Sequence, residues 1–130
     1  MSKPSLRRVP SDDCKVAIGD EVCYPHEGEW VECLAGMQVR EYTVMRKFRE
    51  LSTKFDAVKG DPDEGRLVAT YLADAYDDVV PVLTDRIVAW NWTDDRGHAY
   101  PQPADDPSVF RRLRAEEVTY LITAIRGETP

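Results

Sequence analysis

Cys14, Cys23, His26 and Cys33 are the first residues of this chain whose types suggest chemistry, because thiolates and imidazoles are the ligands that zinc takes in a tetrahedron. Their spacing argues against a zinc site. The familiar zinc ribbon draws on two close pairs, and here only Cys23 and His26 are close. Successive residues of a strand face opposite sides, so Cys23 and Cys33 need not converge. Small half-buried cysteines in a sheet are the better reading. Asp94-Asp95-Arg96-Gly97 gathers acids as a calcium loop does, but without the alternating acids and terminal Glu of such a loop. It reads as a polar turn with Gly97 at positive φ. His26 and His98 are the only histidines, and no serine or cysteine lies in a nucleophile motif. No glycine-rich phosphate loop is present. Asp77-Asp78 and Glu116-Glu117 are adjacent pairs on expected helices, where neighbours point in different directions, and they read as solvated faces. The residues predict no enzyme, no cofactor and no metal.

The elements that must carry these residues are legible from pattern. Length is that of one domain, 130 residues with 42% apolar and 32% charged content. Residues 1–14 hold Lys3, Arg7, Arg8 and two prolines with little apolar content, and predict a flexible basic arm. A single α+β domain is expected over 15–127. Its first part, 15–34, reads as a β-meander. Lys15-Val16-Ala17-Ile18 and Glu21-Val22-Cys23-Tyr24 flank a Gly19-Asp20 turn, and Glu29 to Leu34 supplies a third strand. The period then changes to 3.6, and a helical part over 37–126, a bundle of three to four helices, follows. Met37, Val44, Met45, Phe48, Leu51, Phe55 and Val58 share the stripe of a helix over roughly 37–58, closed by Gly60 and Pro62. A second helix begins near Glu64, with Leu83, Ile87 and Trp90 on its stripe, and Pro81 predicts a kink or break inside the core. Asp106-Pro107 is a cap and first-turn proline for a short helix reaching Leu113. A last helix spans about Ala115 to Ile125, with Val118, Leu121, Ile122 and Ile125 inward and Gly127 after it.

Trp90 and Trp92 stand where the second helix gives way to a polar loop. Positions two apart on a helix are separated by about 200°, so Trp90 is expected to close the core. Trp92 is expected to lie against the Tyr100-Pro101 loop or to stay available to a partner.

The net charge of −7 excludes a general affinity for nucleic acid, which needs a positive footprint. No apolar run reaches the length of a membrane span, and no signal peptide precedes the body. An odd number of cysteines, three, fits a reducing compartment, and a soluble cytoplasmic protein is expected. Charge is segregated: residues 61–106 carry eleven acids against Arg66, Arg86 and Arg96. Such segregation can guide docking on a partner or on another copy of the chain.

Gly28-Glu29-Trp30-Val31-Glu32 after a hairpin, two amphipathic helices, and Ile87 to Asp95 with Gly97 and Pro101-Gln102-Pro103 together resemble the tail assembly chaperones of long-tailed bacteriophages. These small proteins are encoded just before the tape-measure protein. The resemblance covers about residues 15–125, and the stretch Val88 to Gly97 with the later LRAEEVTYLI segment is its strongest part. It implies a non-enzymatic role in the host cytoplasm: holding the helical tape-measure protein soluble while tail-tube subunits polymerise around it. Met37, Met45, Trp92 and Tyr100 are then candidates for an adaptable client surface. The alternative is a structural virion protein, a head–tail connector or minor tail component, gripping its neighbour through Arg7 and Arg8 of the basic arm.

Overall fold

In a computed structural model describing residues 6–34 and 39–126, the chain forms strands β1 (Leu6–Pro10), β2 (Val16–Ile18), β3 (Glu21–Cys23) and β4 (Trp30–Leu34). Helices α1 (Val39–Ala57) and α2 (Glu64–Arg86) follow, then strand β5 (Ile87–Trp90), a 3-10 helix over Pro107–Arg112, and helix α3 (Ala115–Arg126). The class is α+β, with small antiparallel sheets at the N-terminus and helices after them. The chain divides into two compact units, one of residues 6–34 with 83–126 and one of residues 39–82, where the sequence reading expects a single domain over 15–127.

In the first unit Gly19, at φ 62°, turns the chain between β2 and β3, which pair Val16 with Cys23 and Ile18 with Glu21. The third expected strand is present as β4 but does not extend this hairpin. The turn Tyr24 to Glu29, with Gly28 at φ 81°, swings the chain away, and β4 pairs instead with β1 and β5 in the order β1-β4-β5. Both pairings are antiparallel, with Val31 opposite Val9 on one side and Trp90 on the other.

Strand β1 corrects the expectation of a flexible arm over 1–14 at Leu6–Pro10; residues 1–5 lie outside the described residues. Its pairing comes from backbone hydrogen bonds, which ask little of side-chain hydrophobicity. Its basic side chains add to this. Arg8 lies 4.0 Å over the Trp30 ring and 3.7 Å from Glu32, and Arg7 donates to the Ala124 carbonyl at 2.6 Å, near the C-terminal end of α3. The last carbonyls of a helix lack intrahelical partners and attract cations, so Arg7 acts as a cap.

Strand β5 corrects the expectation that the second helix runs to Trp90. Ile87 and Trp90 satisfy a helical stripe, but Ile87-Val88 is β-branched and fits a pleated sheet better. The far edge of β5 is closed by one side chain. Gln102 accepts from Trp90 N at 3.0 Å and donates to Trp90 O at 2.9 Å, so its amide substitutes for a neighbouring strand. Buried Leu121, Ile122, Ala124 and Ile125 give α3 its inward face, and α3 contacts β4; Val118 is only half-buried.

In the second unit α1 and α2 carry buried Met45, Leu51, Leu72 and Val79. Phe55 stacks on Tyr71 at 6.4 Å, and Lys47 pairs with Asp78 at 3.1 Å. Gly60 at φ 86° makes the turn between the helices. Helix α2 runs unbroken through Pro81, so the expected break is corrected, and Pro81 itself is exposed rather than set in the core.

Candidate functional site

Polar chemistry concentrates where the turn after β3 meets the start of α3. Arg114 precedes the first residue of α3, and Glu117 is its third residue. Glu117 Oε1 accepts from Arg114 N at 2.9 Å, which is the reciprocal half of a capping box. That contact fixes the carboxylate so that Oε2 faces inward, where it meets His26 Nε2 at 2.5 Å. The other ring nitrogen, Nδ1, meets Glu29 Oε1 at 2.7 Å. Glu29 is fixed in turn by Thr93, whose amide and hydroxyl donate to its two oxygens at 3.1 and 2.5 Å. Each nitrogen–oxygen contact needs a hydrogen, so the cluster shares one proton on each side of the ring.

The ring face is also occupied. Trp92 stacks on His26 with centroids 3.7 Å apart and planes within 9°, and Trp90 stacks on Trp92 at 5.1 Å and 7°. The Trp92 indole N–H donates to Ser11 Oγ at 2.9 Å, and that of Trp90 to the Pro101 carbonyl at 3.1 Å. His26 and Glu117 are each 1% exposed and Trp92 is 0% exposed. A histidine between two carboxylates has the composition of an acid–base centre. Here both nitrogens, a ring face and the carboxylate oxygens are engaged by groups of the chain itself. The arrangement staples the turn after β3, the segment after β5 and α3 together.

A shallow depression of about 500 Å³ lies nearby, between the 94–98 turn and Arg112-Leu113-Arg114. Its acids are already held. Arg114 grips Asp95 at 2.6 and 3.1 Å and keeps its carboxyl below the usual range. The His98 amide, with help from that of Arg96, does the same for Asp94. Gly97 takes φ 82°, as the polar-turn reading expects. Arg112 lies 5.2 Å over the Tyr100 ring.

The candidate client residues fare differently. Trp92, Tyr100 and Met45 are buried; the Trp92 carbonyl accepts from Tyr100 N at 3.0 Å, in keeping with its expected place against that loop, while its ring lies in the core beside that of Trp90. The physical reason is the period. Trp90 and Trp92 lie on extended chain, where residues two apart share a face, rather than on a helix, where they diverge. Arg7 is spent on the α3 carbonyl, while Arg8 is exposed against Trp30. Met37 lies outside the described residues. Glu117 is buried, which corrects the reading of Glu116-Glu117 as a solvated pair; Glu116 is exposed and accepts from Ala17 N at 2.7 Å.

The cysteines do not converge. Cys14 and Cys33 are buried and Cys23 is half-buried, and among the described residues no cluster of His, Cys, Asp and Glu is placed to hold a metal. Burial, and then the nearby Glu117, push the Cys14 thiol up to about 12, so it stays protonated and unreactive. Burial raises Cys33 too, against the opposing pull of Arg7.

The staple was missed because its members lie 91 residues apart. One signal for it exists in the sequence: Glu117, Leu121 and Ile125 fall at i, i+4 and i+8, so an acid sits on the apolar stripe of α3. No protein-family model, curated protein or solved structure matches the chain. No described helix is long and apolar enough to cross a membrane.

Proposed function

We propose that this chain is a non-enzymatic tail assembly chaperone acting in the host cytoplasm, which binds the helical tape-measure protein through its β2–β3 hairpin. The observation that carries the reading is the exposed apolar face of that hairpin. Val22 and Tyr24, two apart on extended chain, share a side and are 49% and 48% exposed, while Ile18, opposite Glu21, lies on the other face. Adjacent exposed apolar side chains on a rigid element are a docking surface rather than scattered exposure. Two further observations support it: the His26–Glu29–Glu117 cluster is buried and hydrogen-bonded within the chain, and the sequence motif around Trp90 and Trp92 resembles that family. The net charge of −7 keeps a holdase soluble while it carries an apolar client.

Co-expression with a tape-measure protein, the client this reading names, followed by pull-down on a tagged copy of this chain, tests the reading. The wild-type chain is expected to recover the helical protein. Val22→Asp with Tyr24→Asp is expected to lower recovery at least about tenfold with an unchanged circular dichroism spectrum, since burying unpaired charge in an interface costs several kcal/mol. Undiminished recovery by that variant removes the hairpin from the interface. Fixed copy number of the chain in purified particles, with no binding of the helical protein, would establish a structural virion role instead.

A further inference from the structure

The second unit presents two faces of opposite charge. On α1, Tyr42, Arg46 and Arg49 fall at i, i+4 and i+7, one stripe of the helix, and all three are exposed. On α2, Asp74 and Asp77 are exposed at the same i, i+3 spacing as the two arginines, with exposed Pro81 one turn beyond Asp77. Neither arginine and neither aspartate has an ion-pair partner among the described residues. By contrast the neighbouring Lys47 and Asp78 pair within the chain. Tyr42 is 62% exposed, an unusual position for a large ring.

We propose that these faces dock on each other between copies, the α1 stripe of one chain lying antiparallel on the α2 stripe of the next. In that register Arg46 meets Asp77, Arg49 meets Asp74, and the Tyr42 ring covers Pro81; a parallel register brings Tyr42 onto Thr70 and leaves Pro81 opposite Thr53. The antiparallel arrangement satisfies both charges and buries both exposed apolar groups. Because the two faces differ, the contact is head-to-tail, so each copy keeps one unused face and the association extends into rings or open chains. Exposed ion pairs are weak and screened by salt, so the association is concentration-dependent and falls as ionic strength rises. This inference stands apart from the client-binding reading, since it uses neither the hairpin nor the first unit.

Light scattering coupled to size exclusion tests it on the full chain. At about 20 mM salt the mass should rise with protein concentration beyond one copy, and return toward one copy at about 500 mM salt. Arg46→Glu with Arg49→Glu, and separately Asp74→Lys with Asp77→Lys, should each remain a single copy at low salt while keeping the wild-type circular dichroism spectrum. An equimolar mixture of the two reversed variants should recover the association, because reversed α1 meets reversed α2 and the two native faces meet each other. A monomeric wild type at low salt overturns the proposal. So does wild-type association by either folded variant alone, or a mixture that stays monomeric.

Discussion

Truncating Trp92 to Ala should cost the fold about 3–5 kcal/mol, the range for deleting a buried large aromatic. Trp92 is the middle of three parallel rings, with His26 on one face and Trp90 on the other, and its indole N–H is bonded to buried Ser11. The truncation removes both stacks, opens a cavity and leaves the Ser11 hydroxyl without that donor. A domain stable by about 5–15 kcal/mol is left marginal by such a loss. Trp90→Ala should lose a comparable amount, since Trp90 also packs edge-on against Phe110 at 5.9 Å. An exposed control, Val22→Ser, should stay within about 0.5 kcal/mol of wild type. Urea unfolding followed by circular dichroism measures all three. A Trp92→Ala variant within about 1 kcal/mol of wild type contradicts the packing described.

The second large effect concerns Glu117 and His26. Removing one member of a buried, hydrogen-bonded charged set costs about 3–5 kcal/mol, because the partner is left buried and unpaired. Glu117→Ala is expected in that range, as it strips His26 Nε2 of its acceptor and α3 of its cap in one step. Glu117→Gln keeps an oxygen for one contact but turns a donor toward the other, and should lie between wild type and Ala. His26→Ala leaves Glu29 and Glu117 facing an empty space. The double variant, His26→Ala with Glu117→Ala, should cost less than the sum of the two singles by about 1–3 kcal/mol, the coupling of directly contacting groups. Additive losses in that cycle contradict the staple.

How much of this was legible in the sequence depends on whether the deciding forces were local. The Gly19-Asp20 hairpin, the Gly97 turn and the Asp106-Pro107 cap are set by residues within a few positions of each other, and all three stand as read. Met45 and Leu51 on α1, and Leu121, Ile122 and Ile125 on α3, are buried on stripes that follow from period alone. Strand β1 was not legible, because Leu6-Arg7-Arg8-Val9-Pro10 has little apolar content and gains its order from a distant β4 edge. Ile87 and Trp90 fit both a helical and an extended pattern, and the sheet decided between them through β4 and Gln102. The competing signal was the two-residue spacing of Trp90 and Trp92, which on extended chain stacks the rings. His26, Glu29 and Glu117 come together only once the turn after β3 and the start of α3 are docked, and the one local trace of them is the acid Glu117 on the apolar stripe of α3.

Proton NMR of the full chain at about pH 6 tests most directly whether the chain's histidine–carboxylate cluster is a closed staple. Both ring nitrogens of His26 contact carboxylates and the ring is buried. Two strongly downfield resonances are therefore expected, one from each nitrogen–oxygen contact, exchanging slowly with water and disappearing together in His26→Ala. Absence of both resonances, or their free exchange with solvent, would contradict the closed staple.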